Sequence, residues 1–146
     1  MPVPFGPENT VSVLAIGHSA EYQTSLLEIF SRSKWKLQFA HSLHEARPLL
    51  SRHCSAVVLC EYKLADGKWV DVLNEIQASG QNPRLIVAAA NADEALWAEV
   101  LNLGGYDVLD MPFQPQEVVR VLSLAWLQWR KQPMAQTREL AAAAAS

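Results

Sequence analysis

His41 and His44 stand three residues apart where a helix is expected to begin, so a single turn would bring both imidazoles to one side, as a metal site requires. No third ligand accompanies them, and two nitrogens do not complete a coordination shell, so the pair reads first as a solvated helix start. Cys54 and Cys60 are the two cysteines of the chain. On one strand, six residues would separate them by roughly 20 Å at ~3.3 Å per residue, whereas a disulfide needs Cα atoms within about 7 Å. They read as small buried apolar residues, and two thiols alone do not build a structural zinc site. Asp66-Gly67 is turn chemistry first. Neither a GxGxxG nor a P-loop phosphate cradle occurs, and no GxSxG serine elbow is present.

The elements that must position these residues follow from composition and periodicity. The chain has 146 residues, 50% of them hydrophobic and 18% charged, with a formal net charge of -3. That is the balance of one folded domain, without the broad basic field that would draw it to nucleic acid or to an anionic membrane. Its longest apolar runs, about six to eight residues, fall short of the roughly 20 that span a bilayer, and the start lacks a signal-peptide pattern. A cytoplasmic protein is expected.

Residues 1–10, with three prolines and a glycine, read as an irregular leader. The runs VSVLAI (11–16), SAVVLC (55–60) and RLIVAAA (84–90) are nearly continuous in apolar residues, as buried parallel strands require. WKLQFA (35–40) alternates Trp35, Leu37 and Phe39, the mark of a strand with one less buried face. YDVLD (106–110) is a weaker fifth run after the helix stop Gly104-Gly105. Tyr22, Leu26, Ile29 and Phe30 make one helix face, and Trp69, Val72, Leu73 and Ile76 another. Ser42 with Glu45, and Asn91 with Glu94, have capping-box spacing, and Pro48 should bend or shorten the helix that Ser42 opens. Pro115 opens the last helix, with Phe113 and Val118 spaced as a hydrophobic staple, and that helix should run to about Arg130. Residues 131–146 read as a proline-interrupted helical linker or truncated tail. Five strands alternating with five helices over residues 11–130 predict an α/β, flavodoxin-like doubly wound (βα)5 domain with a parallel sheet of order 2-1-3-4-5. Ligands of such sheets bind beyond the carboxyl ends of the strands.

Over about residues 10–130 the chain resembles the response-regulator receiver (CheY-like) family. Ser55–Gly67, SAVVLCEYKLADG, resembles the third strand of that family and its Asp-x-x-Leu-Pro-x-Gly turn, and Met111-Pro112-Phe113 looks like its Lys-Pro-Phe end of strand 5. The resemblance implies phosphoryl transfer to an aspartate, aided by magnesium between carboxylates and by a lysine. This chain departs at those positions. The phosphoacceptor position falls on Glu61, and the acidic pair on Gly17 and His18. The hydroxyl position falls on Ala88 or, shifted by one, Ala89, the aromatic switch on Val108 or, by a register shift, Tyr106, and the lysine on Met111. Hard octahedral Mg²⁺ wants several carboxylate oxygens, so neither magnesium binding nor any other metal or cofactor is expected. The implied reading is a pseudo-receiver with no catalytic residue.

Glu61 could stand in permanently for a phosphoryl charge, and His18 could pair with it, or both could simply be solvated. Trp97, Trp126 and Trp129 fall on the helices flanking strand 5, the face that receivers commonly use to dimerise, and are either interface anchors or core. The expected function is therefore that of a two-component signalling module that works through a protein partner or output domain, as a homodimer through helix 4, strand 5 and helix 5 or as the N-terminal part of a larger regulator. A conventional phosphoacceptor receiver is one alternative. An enzyme or small-ligand binder using Gly17, His18, Glu61 and Asp66 is another.

Overall fold

A computed structural model describes residues 11–52, 55–80 and 82–145 of the chain, with side chains as far as Lys131. Five strands, β1 (Ser12–Ile16), β2 (Lys36–Ala40), β3 (Val57–Glu61), β4 (Arg84–Ala90) and β5 (Asp107–Met111), alternate with five helices. These are α1 (Ala20–Phe30), α2 (Leu43–Arg52), α3 (Trp69–Ser79), α4 (Glu94–Leu103) and α5 (Pro115–Ala145). The strands form one sheet in the order β2-β1-β3-β4-β5, every neighbouring pair parallel, as the alternation predicts. Between β3 and α3, Lys63–Leu64 pairs antiparallel with Gly67–Lys68 in a small ribbon.

Covering a sheet on both faces makes its central strands apolar throughout, and β1, β3 and β4 are buried along nearly their whole length. On one face Val13, Ala15, Val57, Leu59, Ile86, Ala88 and Leu109 meet Tyr22, Leu26 and Phe30 of α1 and Val118, Leu122 and Trp126 of α5. On the other, Leu14, Ile16, Val58, Cys60 and Val87 meet α2, α3 and Val100 of α4. The edge strand β2 keeps the predicted alternation, with Lys36 and Gln38 exposed.

Three expectations about helix ends need correction. α4 is capped by Asp93, whose carboxylate accepts the Leu96 N–H at 2.8 Å, and not by Asn91, which takes a left-handed φ of 57°. A short polar side chain tolerates that conformation, so Asn91 turns the chain and leaves the cap to the next acidic residue. At α2, Ser42 accepts the Glu45 N–H as expected, but Glu45 reaches back to the His41 N–H one residue further out. α5 does not end near Arg130. It continues as one helix to Ala145, a length of ~46 Å, because the alanine-rich segment past Pro133 has the strongest helix preference available. Gly104 stops α4 at φ 117°, a conformation that favours glycine.

Candidate functional site

The register places the site. Ile16 pairs with Cys60, Glu61 with Ala88, and Ala88 with Leu109, so Gly17, Glu61 and Ala88 follow one another across the carboxyl end of the sheet. Side chains alternate along a strand, which sends Glu61 to the same face as Val57 and Leu59, toward α1. Its side chain is 12% exposed. Glu61 Oε1 accepts the backbone N–H of His18 at 2.8 Å and that of Ser19 at 3.0 Å. Ser19 is the N-cap of α1, where N–H groups lack helical partners and the helix dipole favours a negative charge. Glu61 is therefore held against the β1–α1 turn, with the His18 ring Nδ1 3.9 Å away and half exposed.

Gly17 has no room for a side chain. A Cβ there would lie 2.5 Å from Glu61 Oε1 and 2.5 Å from the Tyr22 ring. Glu61 and Tyr22 fill the volume in which an acidic side chain at position 17 would begin. Tyr22, which sequence reasoning counted only as a core residue, forms the floor of this arrangement and donates its hydroxyl to the Leu59 carbonyl at 3.1 Å. Burial, with the nearby Cys60 and Glu61 charges, pushes its phenol well above the usual range, so it stays neutral. The available signal was chemical: a fully buried tyrosine on an amphipathic face must find an acceptor.

The remaining predicted positions divide. Ala88 is the residue directly opposite Glu61 and is buried, whereas Ala89 pairs with Asp110 one step on, so the register favours Ala88. Met111 packs, partly buried, on the α1–α5 cluster. Val108 packs on the opposite face, against the cluster of α2 and α3, while Tyr106 lies with the α1–α5 cluster. Asp66 does not join Glu61 and His18. Its two oxygens accept the N–H groups of Leu43 at 2.7 Å and His44 at 3.0 Å, so it caps α2 from the ribbon turn. Those two bonds hold its carboxyl below the usual range. The His41 ring stacks on Phe39 and meets Glu45 Oε1 at 3.3 Å. Among the described residues no group of three or more His, Cys, Asp or Glu is placed to hold a metal ion. Cys60 is buried, and burial together with the Glu61 charge pushes its thiol up, while Cys54 lies outside the described residues.

Of the three tryptophans, only Trp97 is open to solvent, at 51% exposure, with its indole N–H donated to Asp107 at 3.2 Å. Trp126 is core, 7% exposed, with the Arg130 guanidinium 5.4 Å above its ring. Trp129 packs, partly buried, on the same cluster. The interface reading of Trp126 is thereby corrected: α5 is apolar over an arc wide enough to turn it inward beside Val118, Leu122 and Ala125.

No protein-family model matches the chain. A stretch of 67 residues is 28% identical to the chemotaxis protein CheY of Thermotoga maritima, which is 46% of this chain and 56% of that protein. Sheet order, site position and this match agree. The chain has the fold of a CheY-like receiver domain. The receiver domain of the sensor histidine kinase PA1611 from Pseudomonas aeruginosa, described with a magnesium ion coordinated in its active site cleft, superposes with a TM-score of 0.72 at 19% identity. That match covers 80% of this chain and 98% of the other. The beryllofluoride-activated NtrC4 receiver domain dimer gives a TM-score of 0.74 at 18% identity, over 82% of this chain and 99% of that one. Likeness at this identity establishes the receiver fold. Among the described residues, no helix of this receiver domain is long and apolar enough to cross a membrane.

Proposed function

We propose that this receiver domain is a two-component signalling module that acts in the cytoplasm through a protein partner and neither accepts a phosphoryl group nor uses magnesium. The carrying observation is the Glu61 carboxylate, whose Oε1 is already engaged by the His18 and Ser19 N–H groups in the space above Gly17. Those two bonds turn the carboxylate toward the start of α1, and Mg²⁺ needs several oxygens in octahedral array. Here one carboxylate stands where a set is required, and Gly17 leaves no volume for a second. Ala88 and Met111 supply neither hydroxyl nor ammonium to gather charge developing on a phosphoryl group. The same geometry argues against permanent phosphoryl mimicry, since the charge of Glu61 is directed to α1 and away from β4 and β5.

The partner-facing surface is the side made by α4, β5 and α5. On it Trp97 is the exposed aromatic anchor, and Leu124 and Leu127 add open apolar area at 45% and 43% exposure. The dimeric state named for the NtrC4 receiver lends support to self-association as one mode. Incubation of the full chain with a small phosphodonor and Mg²⁺, followed by intact-mass measurement, tests the central claim. An unchanged mass is expected. An acid-labile phosphoryl adduct lost on Glu61→Gln would overturn it.

A further inference from the structure

The two edges of the sheet carry opposite charge. Residues 85–119, which form β4, α4, β5 and the start of α5, contain no lysine or arginine but hold Asp93, Glu94, Glu99, Asp107, Asp110 and Glu117. Residues 31–52, which form β2 and α2 with the turns around them, hold Arg32, Lys34, Lys36, Arg47 and Arg52 against Glu45 alone. The sheet order sets β2 and β5 at opposite edges. Arg47 is already paired with Glu75 at 2.9 Å, but Lys34, Lys36 and Arg52 are exposed and appear in no ion pair among the described residues.

On the acidic edge, α4 is a helix without a full set of packing partners. Of its ten residues only Val100 is buried, while Trp97 is 51% and Leu103 48% exposed. An indole hydrogen-bonded to Asp107, with Glu94 one turn before it and a face open to solvent, is suited to a cation on an aliphatic stem, which gains both π-attraction and charge pairing.

We propose that the face of α4 and β5 centred on Trp97 docks the β2–α2 edge of a second copy of this chain, with Lys34 and Lys36 seated against Trp97, Glu94 and Asp107. This rests on the reading of that face as partner-binding and names the partner. A twofold dimer through β5 would instead bring the Asp107–Asp110 segment against its own copy, like charge to like. Docking edge to opposite edge is heterologous, so a docked pair keeps one free basic and one free acidic edge, and assembly continues with concentration until a ring closes or a filament grows.

The test is sedimentation of the full chain over a range of concentrations at low and high salt, with two edge variants. One carries Glu94→Gln, Trp97→Ala and Asp107→Asn, and the other Lys34→Gln and Lys36→Gln. The wild-type mass is expected to rise with concentration, with the association constant falling about tenfold or more between roughly 50 mM and 500 mM salt. Each variant alone is expected to stay monomeric. Mixed in equal amounts, the two retain one good acidic and one good basic edge between them, so they should form a 1:1 pair that grows no further; such pairing also demonstrates that both are folded. A wild type monomeric under all conditions overturns the proposal. So does a basic-edge variant that still dimerises, although that result would leave the α4–β5 face as the interface and bear on nothing at Glu61.

Discussion

The β3–α3 segment and helix α4 sit on the same carboxyl side of the sheet and treat their acidic residues in opposite ways. In the first, each of three carboxylates is engaged by backbone N–H groups: Glu61 at the start of α1, Asp66 at the start of α2, and Asp71 by the Lys68 N–H at 2.9 Å. Six residues of chain, 61–66, thereby tie the N-termini of two helices to the sheet. In the second, Glu94 and Glu99 point outward and Trp97 is half open. A receiver that is to change state keeps its acidic pocket free and its signalling face responsive. Here Glu61 is held by the backbone of the β1–α1 turn while the α4 face keeps an open aromatic side chain, and the proposed binding role rests on that difference.

The sharpest way to break this contrast is to rebuild the missing carboxylate. Gly17→Asp restores an acid at the family position, but its Cβ has to displace the Glu61 carboxylate or the Tyr22 ring, each 2.5 Å from it. Overpacking together with a second negative charge beside Glu61 should cost about 2–4 kcal/mol, read from urea unfolding midpoints at neutral pH. Magnesium should not restore the loss. A stable Gly17→Asp protein that gains stability with Mg²⁺ would mean that the pocket opens readily and that Glu61 is not committed to the turn.

How much of this was legible beforehand divides along the same line. Periodicity gave the five strands, the sheet order and the helix faces, because burial on two sides of a sheet leaves an apolar signature in each run. The vacancies at Gly17, Ala88 and Met111 were also readable, since a missing donor is visible in the residue type. What Glu61 does in their absence was not. Its partners are backbone N–H groups 42 and 43 residues away, and backbone groups are the same in every sequence. The capping by Asp66 was hidden likewise, behind the turn-forming character of Asp-Gly. Trp126 was ambiguous because a wide apolar arc on α5 suits both core and interface, and only packing decides between them.

A milder perturbation removes one tie at a time with acid. The carboxyl of Asp66 is held below its ordinary value by the Leu43 and His44 N–H groups, so its folded pKa is lower than its unfolded one. The stabilisation is therefore complete above the unfolded pKa and disappears in the acid range as pH falls through the lower folded value. Asp66→Asn should lower the melting temperature at neutral pH and leave a shallower decline across that acid range than the wild type shows. Equal slopes for the two proteins would mean that the α2 tie carries no ionic component, and would leave Glu61 as the one charged tie from this segment to the start of a preceding helix.

The smallest effect on stability is expected where the contrast is most functional. Trp97 is half exposed and the hydrogen bond of its indole to Asp107 is an exposed one, so Trp97→Ala removes little that folding relies on. The change should lie within about 0.5 kcal/mol, as for surface positions in general. Trp126→Ala, on the same side of the sequence but 7% exposed against the α1–α5 cluster, should cost about 3–5 kcal/mol. Denaturant midpoints for the two variants measure the difference directly. If both were equally damaging, Trp97 would be a structural residue of the α4–β5 contact, and the outward-facing half of the comparison would lose its anchor. If Trp97→Ala leaves the midpoint in place while abolishing self-association, the fold and the interface are separable at a single side chain.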